Sequence, residues 1–427
     1  MAESSATGAG DVVIIDTSTL ARPRPGLAGQ AGFYAKAIGV FLAGMVATLA
    51  WMFIVIMATV KVTEAARGAL EVVLALIGLA IAAVPLVLFA GLLVRYRNRH
   101  FAGVGSLIAL SDFSEAELGR EIPYLGVPLH AVIERVGALA RNVGDAPPPF
   151  KETDPAKLRK ARNTRLGLFA AFVGGLALYA ATESWSALLP VGVAVVGYPW
   201  ILMQARQAVQ PSLDQLRAHD KRKPVLLLRS FQDDVIQVFH RIPTRIGDML
   251  QIRRFEQEIA GMLAAFGPVI AVGKPGEELP QIGAARAYLS EGEWQPAVMR
   301  WMDEAVFIAM VAGATEWIRW ELSRILEMGR VRHLIILVPP MPGKRNWEMP
   351  TTTSTEERWN NVLGALAATR WAPALDTLET RGLLLVLLRP DGRVVAIRRE
   401  GKDPPWADDY QIAVAIAIYD EFCRAAA

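Results

Sequence analysis

The 427-residue chain contains a single cysteine, Cys423, and only five histidines. One cysteine excludes an intrachain disulfide and any zinc site built from several cysteines, and this rarity is typical of a reducing compartment. The histidines are scattered without the spacing of metal ligands, so no metal site is predicted. Lysine and arginine number 45 against 42 aspartates and glutamates, and a formal net charge of +3 favours no nucleic-acid partner.

Charged residues are also missing from four long segments of the chain. Residues 38–60 and 72–94 each run for 23 positions without a charge, and residues 166–182 and 184–205 do so for 17 and 22 positions. Runs of ~17–25 apolar residues are long enough, as α-helices, to cross the hydrocarbon core of a bilayer. The sequence therefore predicts four transmembrane helices in two hairpins, with a re-entrant hairpin as the alternative for the second pair.

Lysine and arginine residues flank these segments unevenly. They are dense after the second segment, before the third and after the fourth, and sparse in the two short hairpin turns. The positive-inside rule then places both termini and the middle loop in the cytoplasm. We therefore predict a multi-pass protein of the inner cell membrane, with the lipid bilayer as a partner. The spans contain no acidic or basic residue, which argues against a channel or transporter.

The chain divides into seven predicted parts. These are a disordered N-terminal tail at 1–32, a transmembrane hairpin at 33–94, a cytoplasmic loop at 95–165, a second transmembrane hairpin at 166–205, a linker at 206–222, an α/β domain at 223–345 and a C-terminal extension at 346–427. The loop contains an amphipathic helix near residues 129–139, which lies on the membrane surface or packs on the soluble domain or a partner subunit. The extension is predicted to contain a helix, a β-hairpin and a final helix.

Beyond residue 223, short apolar runs alternate with helical patterns. The runs that predict buried strands are 225–228, 268–272, 306–311 and 333–338. Uninterrupted apolar strands separated by helices are typical of a parallel sheet that helices cover on both faces. Ligands of such sheets bind beyond the carboxyl ends of the strands. The predicted crevice contains three segments, at 229–234, 273–281 and 313–321.

Two motifs lie in this crevice. The segment 273–276, Gly-Lys-Pro-Gly, resembles a phosphate-binding loop only loosely, and an ordinary turn is the alternative. Trp317 and Glu321 follow Thr315, a candidate helix N-cap, and they share a helix face because they are four residues apart. An aromatic ring beside a carboxylate can hold a nucleotide, and the carboxylate can stabilise the positive charge that develops when a glycosidic bond breaks. The alternative is a solvated glutamate beside core tryptophans.

Two stretches of this region resemble the TIR (Toll/interleukin receptor) domain family. Residues 227–234, Leu-Leu-Arg-Ser-Phe-Gln-Asp-Asp, are similar to the first strand and loop of these domains. Residues 315–322 match the spacing of the TIR signature Ser-x-Trp-Cys-x-x-Glu-Leu, with Thr315 and Ile318 in place of Ser and Cys. The likeness covers about 223–340, roughly a quarter of the chain.

The resemblance implies a flavodoxin-like domain that cleaves NAD at the nicotinamide–ribose bond and needs no further cofactor. It implies that Glu321 is the catalytic carboxylate. The predicted substrate-binding residues are Arg229, Ser230, Phe231, Asp233, Gly273, Lys274, Thr315 and Trp317. We therefore expect a defence or signalling effector that is activated by clustering and forms a homo-oligomer. The alternative is a non-catalytic module that binds a nucleotide signal or another TIR-like domain and transmits through the membrane bundle.

Overall fold

The computed structural model of the protein describes most of the chain outside the predicted membrane segments. The described ranges are 11–18, 115–144, 155–182, 189–194, 212–230, 236–238, 253–273, 284–290, 292–340, 353–401 and 405–424, together with a few isolated positions. The predicted hairpin at 33–94 and most of the predicted span at 184–205 lie outside the described residues.

The described residues form short strands and helices that alternate through the C-terminal half of the chain. The strands are β1 (Val12–Asp16), β2 (Glu121–Ile122), β3 (Val127–Pro128), β4 (Val225–Leu228), β5 (Gln237–Val238), β6 (Arg253–Arg254), β7 (Val269–Val272), β8 (Ala285–Ala287), β9 (Ile308–Val311), β10 (Leu334–Leu337), β11 (Leu383–Leu388) and β12 (Val394–Arg398). The helices are α1 (Glu115–Leu118), α2 (Leu129–Asn142), α3 (Pro155–Thr182), α4 (Leu213–His219), α5 (Phe255–Leu263), α6 (Trp294–Glu304), α7 (Glu316–Glu327), α8 (Thr355–Leu366), α9 (Ala372–Leu375) and α10 (Ala407–Ile418).

Eight of these strands form one mixed sheet in the order β1-β12-β11-β10-β9-β4-β7-β8. The strands β8, β7, β4, β9 and β10 are parallel, whereas β11 is antiparallel to both of its neighbours. A short turn joins β11 to β12, and a turn of that length can only join antiparallel strands. Gly392 in this turn has a φ of 93°, a conformation that favours glycine. The prediction of a parallel sheet is therefore wrong for the sheet as a whole, which is mixed, although its strands from the predicted domain 223–345 are parallel to one another.

The order of the five parallel strands also differs from the predicted flavodoxin-like order. Numbered along the chain, they lie in the order 3-2-1-4-5 rather than 2-1-3-4-5, because β8 pairs with β7 at the outer edge before the chain crosses to β9. The prediction of a flavodoxin-like sheet is wrong on this point. In both orders the topology reverses beside the first strand, here between β4 and β9, and the crevice of the fold lies there.

Helices cover both faces of the sheet. Val225 and Leu227 of β4 belong to a hydrophobic core with α2, α5 and α10, whereas Leu226 and Leu228 belong to a second core with α6, α7, α8 and α9. Alternate side chains of a strand point to opposite faces. Each residue of β4 is therefore buried, and this explains why the strand is apolar without interruption.

Two segments that the sequence analysis placed outside the α/β domain belong to it. The predicted disordered tail 1–32 contains β1, which pairs in parallel with β12 and buries Ile15. The predicted loop 95–165 contains α2, whose apolar stripe is buried against α10. The amphipathic helix that the sequence predicts near residues 129–139 therefore packs on the α/β domain, which is one of the three predicted locations. The C-terminal segment 346–427 likewise supplies β11, β12 and helices to both layers.

The prediction of a four-span membrane region, and with it that of a multi-pass inner-membrane protein, is wrong. No helix among the described residues is long and apolar enough to cross a membrane. The helix α3 contains the predicted span 166–182, but the basic segment 157–165 lies in the same helix.

Candidate functional site

The candidate site lies at the carboxyl ends of β4 and β9, which pair side by side through Leu228 and Met310. The chain leaves β4 through Arg229 and Ser230, which are both buried, and reaches α5 on one face. It leaves β9 through a four-residue turn, 312–315, and enters α7 on the other face. The strand ends and the start of α7 therefore meet at one edge of the sheet, as the topology predicts.

Glu321 is a carboxyl group on the buried stripe of α7. Its neighbours on this stripe are Ile318, Leu322 and Ile325, and only 6% of Glu321 is exposed. Burial raises the pKa of the Glu321 carboxyl from 4.5 to about 8, because the charged form loses its hydration. Its Oε2 atom accepts no hydrogen bond from the part of the chain that the structure describes. The group is therefore neutral at neutral pH, and such a perturbed carboxyl is a candidate functional group.

Trp317 lies one turn before Glu321 but is half exposed, at 51%. Its ring meets the ring of Trp294 edge to face, with centroids 4.9 Å apart, and Trp320 contacts Trp294 at the same distance. Four residues of an α-helix return to within about 40° of the same direction. Trp317 therefore flanks the buried stripe on the side of α6, next to the position of Glu321. Trp294 is not among the site residues that the sequence predicts.

Thr315 occupies the N-cap position of α7 with an extended backbone, as predicted, but its side chain makes no capping hydrogen bond. Its Oγ1 atom is buried and has no hydrogen-bond partner among the described residues. The backbone carbonyls of Gly313 and Thr315 instead accept hydrogen bonds from Nδ2 of Asn361, at 2.7 and 3.0 Å. The start of α7 is thus stabilised from α8, across 46 residues of sequence.

Arg229 lies in a buried ion cluster rather than beside Glu321. Its Nε is 2.9 Å from the Glu256 carboxylate, which also accepts hydrogen bonds from Nη2 of Arg286 at 2.8 and 3.1 Å. The three side chains are at most 4% exposed. Because Glu256 belongs to α5 and Glu321 to α7, the structure places the two predicted site residues Arg229 and Glu321 on opposite faces of the sheet.

Gly273 directly follows β7, and its backbone N–H continues the pairing with β8 by donating to the carbonyl of Ala287 at 2.9 Å. A Cβ atom at this position would lie 2.7 Å from Cε1 of Tyr288, so a larger residue would require that ring to move. The rest of the segment, 274–276, lies outside the described residues, and both the phosphate-binding loop and the ordinary turn stay predictions. The predicted site residues Phe231, Asp233 and Lys274 lie outside the described residues.

The residues that sequence reasoning missed are distant in the chain from the motifs that they contact. Asn361 and Arg358 of α8 reach the turn before α7, and Glu256 reaches Arg229. Nothing in the local sequence distinguishes them from other polar helix residues. Within the described ranges, no group of three or more His, Cys, Asp or Glu residues could hold a metal ion.

Comparison with protein-family models, with curated proteins and with solved structures finds no match to this chain. The resemblance to TIR domains therefore rests on the two sequence motifs.

Proposed function

We propose that the protein binds NAD in the crevice beside β4 and β9 and cleaves its nicotinamide–ribose bond with Glu321 as the reacting carboxylate. The observation that supports this proposal is the Glu321 carboxyl group, 6% exposed, on the buried stripe of the helix that begins at the crevice. Burying a carboxyl group costs free energy, and buried carboxyl groups with perturbed pKa values are common at catalytic sites.

The chemistry needs a negative charge beside the ribose and no acid for the leaving group. When the C1′–N bond breaks, its electron pair returns to the pyridinium nitrogen, so nicotinamide leaves neutral. The positive charge then resides on the ribose as an oxocarbenium ion, and water adds to C1′ with loss of a proton. A carboxylate in a poorly hydrated site stabilises that charge more strongly than one in water. The positive charge of the nicotinamide ring of bound NAD would favour the ionised form of Glu321.

A second candidate is a module that binds a nucleotide without cleaving it. The neutral state of the Glu321 carboxyl favours this alternative, because a protonated carboxyl donates a hydrogen bond to a ribose hydroxyl but supplies no negative charge. Both candidates use the same crevice, and they differ in whether nicotinamide is released.

The experiment is to incubate the purified full-length protein with NAD and to measure nicotinamide by chromatography. We expect release by the parent and a loss of about 100-fold or more in Glu321→Gln, which keeps the shape of the side chain. Glu316→Gln, the same substitution at an exposed position of α7, is the control and should leave the rate unchanged. For the parent, kcat/KM should rise with pH and level off above about 8, because only the ionised carboxyl reacts.

The outcomes separate the candidates. Release that is unaffected by Glu321→Gln would show that another group reacts. Intact NAD together with calorimetric binding that Glu321→Gln weakens would support the nucleotide-binding module. If the protein neither cleaves nor binds NAD, both candidates are refuted. Activation by clustering and assembly into a homo-oligomer remain predictions, and the dependence of the specific rate on protein concentration tests them.

A further inference from the structure

Side chains of helix α8 bind the backbone of the turn between β9 and α7. The side-chain amide of Asn361 donates from Nδ2 to the carbonyls of Gly313 and Thr315. One turn earlier in α8, Nη1 of Arg358 donates to the carbonyl of Ala312 at 3.4 Å. Two side chains of one helix thus bind three of the four backbone carbonyls in this turn. Asn361 and Arg358 are 6% and 1% exposed, so water competes little for these contacts.

The same amide also contacts α7 itself. Its Oδ1 atom accepts a hydrogen bond from Nε of Arg319, which lies on the flank of α7 opposite to the tryptophan contacts. An asparagine side chain has two N–H donors and one carbonyl acceptor, and here all three groups have partners. Asn361 therefore connects the last residues before α7, the first turns of α7 and the body of α8 through one rigid group.

The position of Glu321 depends on this connection. Glu321 lies five residues after the first residue of α7, so a shift of the helix start moves the carboxyl group by a similar amount. Thr315 does not cap α7 with its side chain, and the contacts from α8 take the place of such a cap. Displacements of about 1 Å at a reacting group can cost about 100-fold in rate.

We infer that Asn361 is a positioning residue for Glu321, which fixes the start of α7 relative to the carboxyl ends of β4 and β9. The inference rests on the proposed function in so far as it concerns a rate, because it assumes that Glu321 is the reacting carboxylate. It extends that function to α8, a helix outside the segment that resembles TIR domains. A merely structural asparagine would change stability and leave turnover and the titration of Glu321 unchanged.

The first test measures NAD cleavage by Asn361→Ala, with Asn360→Ala as the matched control, since Asn360 is the exposed neighbour in the same helix. We expect Asn361→Ala to lower kcat about tenfold or more with KM changed less than about twofold, and the control to match the parent. Asn361→Ser keeps one donor and should recover part of the rate, and it serves in place of the alanine variant if that does not fold. A folded Asn361→Ala protein with the kcat of the parent would overturn the inference.

The second test does not require activity, so it separates failure of this inference from failure of the proposed function. Thermal unfolding midpoints are measured at about pH 5 and about pH 8 for the parent, Glu321→Gln, Asn361→Ala and the double variant. Glu321→Gln removes the part of the pH dependence that belongs to Glu321. If Asn361 holds Glu321 in its buried position, the pH dependence of the unfolding midpoint that is due to Glu321 is smaller in the Asn361→Ala background. An equal pH dependence due to Glu321 in both backgrounds would overturn the inference, whether or not the parent releases nicotinamide.

Discussion

Replacing Glu321 by glutamine should stabilise the protein at neutral pH. The carboxyl group has an ordinary pKa of 4.5 in the unfolded chain and a pKa of about 8 in the fold. At neutral pH the unfolded chain is therefore ionised at this residue while the folded chain is not, and folding must take up a proton. Glutamine has nearly the same shape and does not titrate in this range, so the variant avoids this cost.

The size and sign of the effect follow from the two pKa values. The folded state binds more protons between them, so the stability of the parent falls as pH rises, by about 1.4 kcal/mol per pH unit. The contribution is fully favourable below pH 4.5, decreases through neutral pH and is constant above about 8. Between about pH 5 and about pH 8, the free energy of unfolding of Glu321→Gln relative to that of the parent should rise by about 3–4 kcal/mol.

Urea unfolding, followed by tryptophan fluorescence at several pH values, measures this difference. Comparing this difference in the free energy of unfolding between acidic and alkaline pH cancels the cost of burying the glutamine amide, because that cost does not depend on pH. Glu316→Gln, at an exposed position of the same helix, should show no comparable change with pH. If the difference in the free energy of unfolding between Glu321→Gln and the parent is the same at acidic and alkaline pH, Glu321 is not a buried neutral carboxyl. Its perturbed pKa then no longer supports a role in the site.

Three further predictions concern the contacts that hold the layers together. Glu256→Gln removes the carboxylate that two buried guanidinium groups contact and should lower the free energy of unfolding by about 3–5 kcal/mol in urea denaturation. Tyr410→Phe removes a buried hydroxyl that donates to a backbone carbonyl of the sheet at 2.6 Å, and should cost about 1–3 kcal/mol by the same assay. Ile15→Ala should cost about 2–5 kcal/mol, because β1 buries this side chain, whereas Ile14→Ala, at a position 51% exposed, should cost little. Equal effects at these two positions would contradict the packing of β1.

The positions of several elements were accessible from the sequence because the relevant information is local. The run at 225–228 predicts a strand, and the structure has a strand with these bounds, since a segment buried on both faces must be apolar throughout. The start of α7 after Thr315 follows from the N-cap pattern and the helical spacing of apolar residues. The edge of the sheet where the site lies follows from the rule that ligands bind at the carboxyl ends of parallel strands.

The predicted membrane spans show where local information is insufficient. Apolar content over a window measures how readily a segment leaves water, but it does not specify which apolar surroundings the segment enters. The amphipathic helix α2 illustrates the same ambiguity, because its apolar stripe is compatible with a membrane surface and with the core in which the structure places it. Only its contact with α10 decides between them.

The amino-acid sequence by itself determined the alternation of buried strands and helices and placed Glu321 on the helix after β9, because the periodicity of apolar residues depends on neighbours in the chain. The tertiary structure decided which strands pair and which face each helix covers. It brought β1 to β12 and Asn361 to the turn before α7, over separations of 382 and 46 residues. It also buried Glu321 and turned Arg229 to the opposite face. These outcomes depend on contacts between distant segments, whose free energies no local pattern of residues encodes.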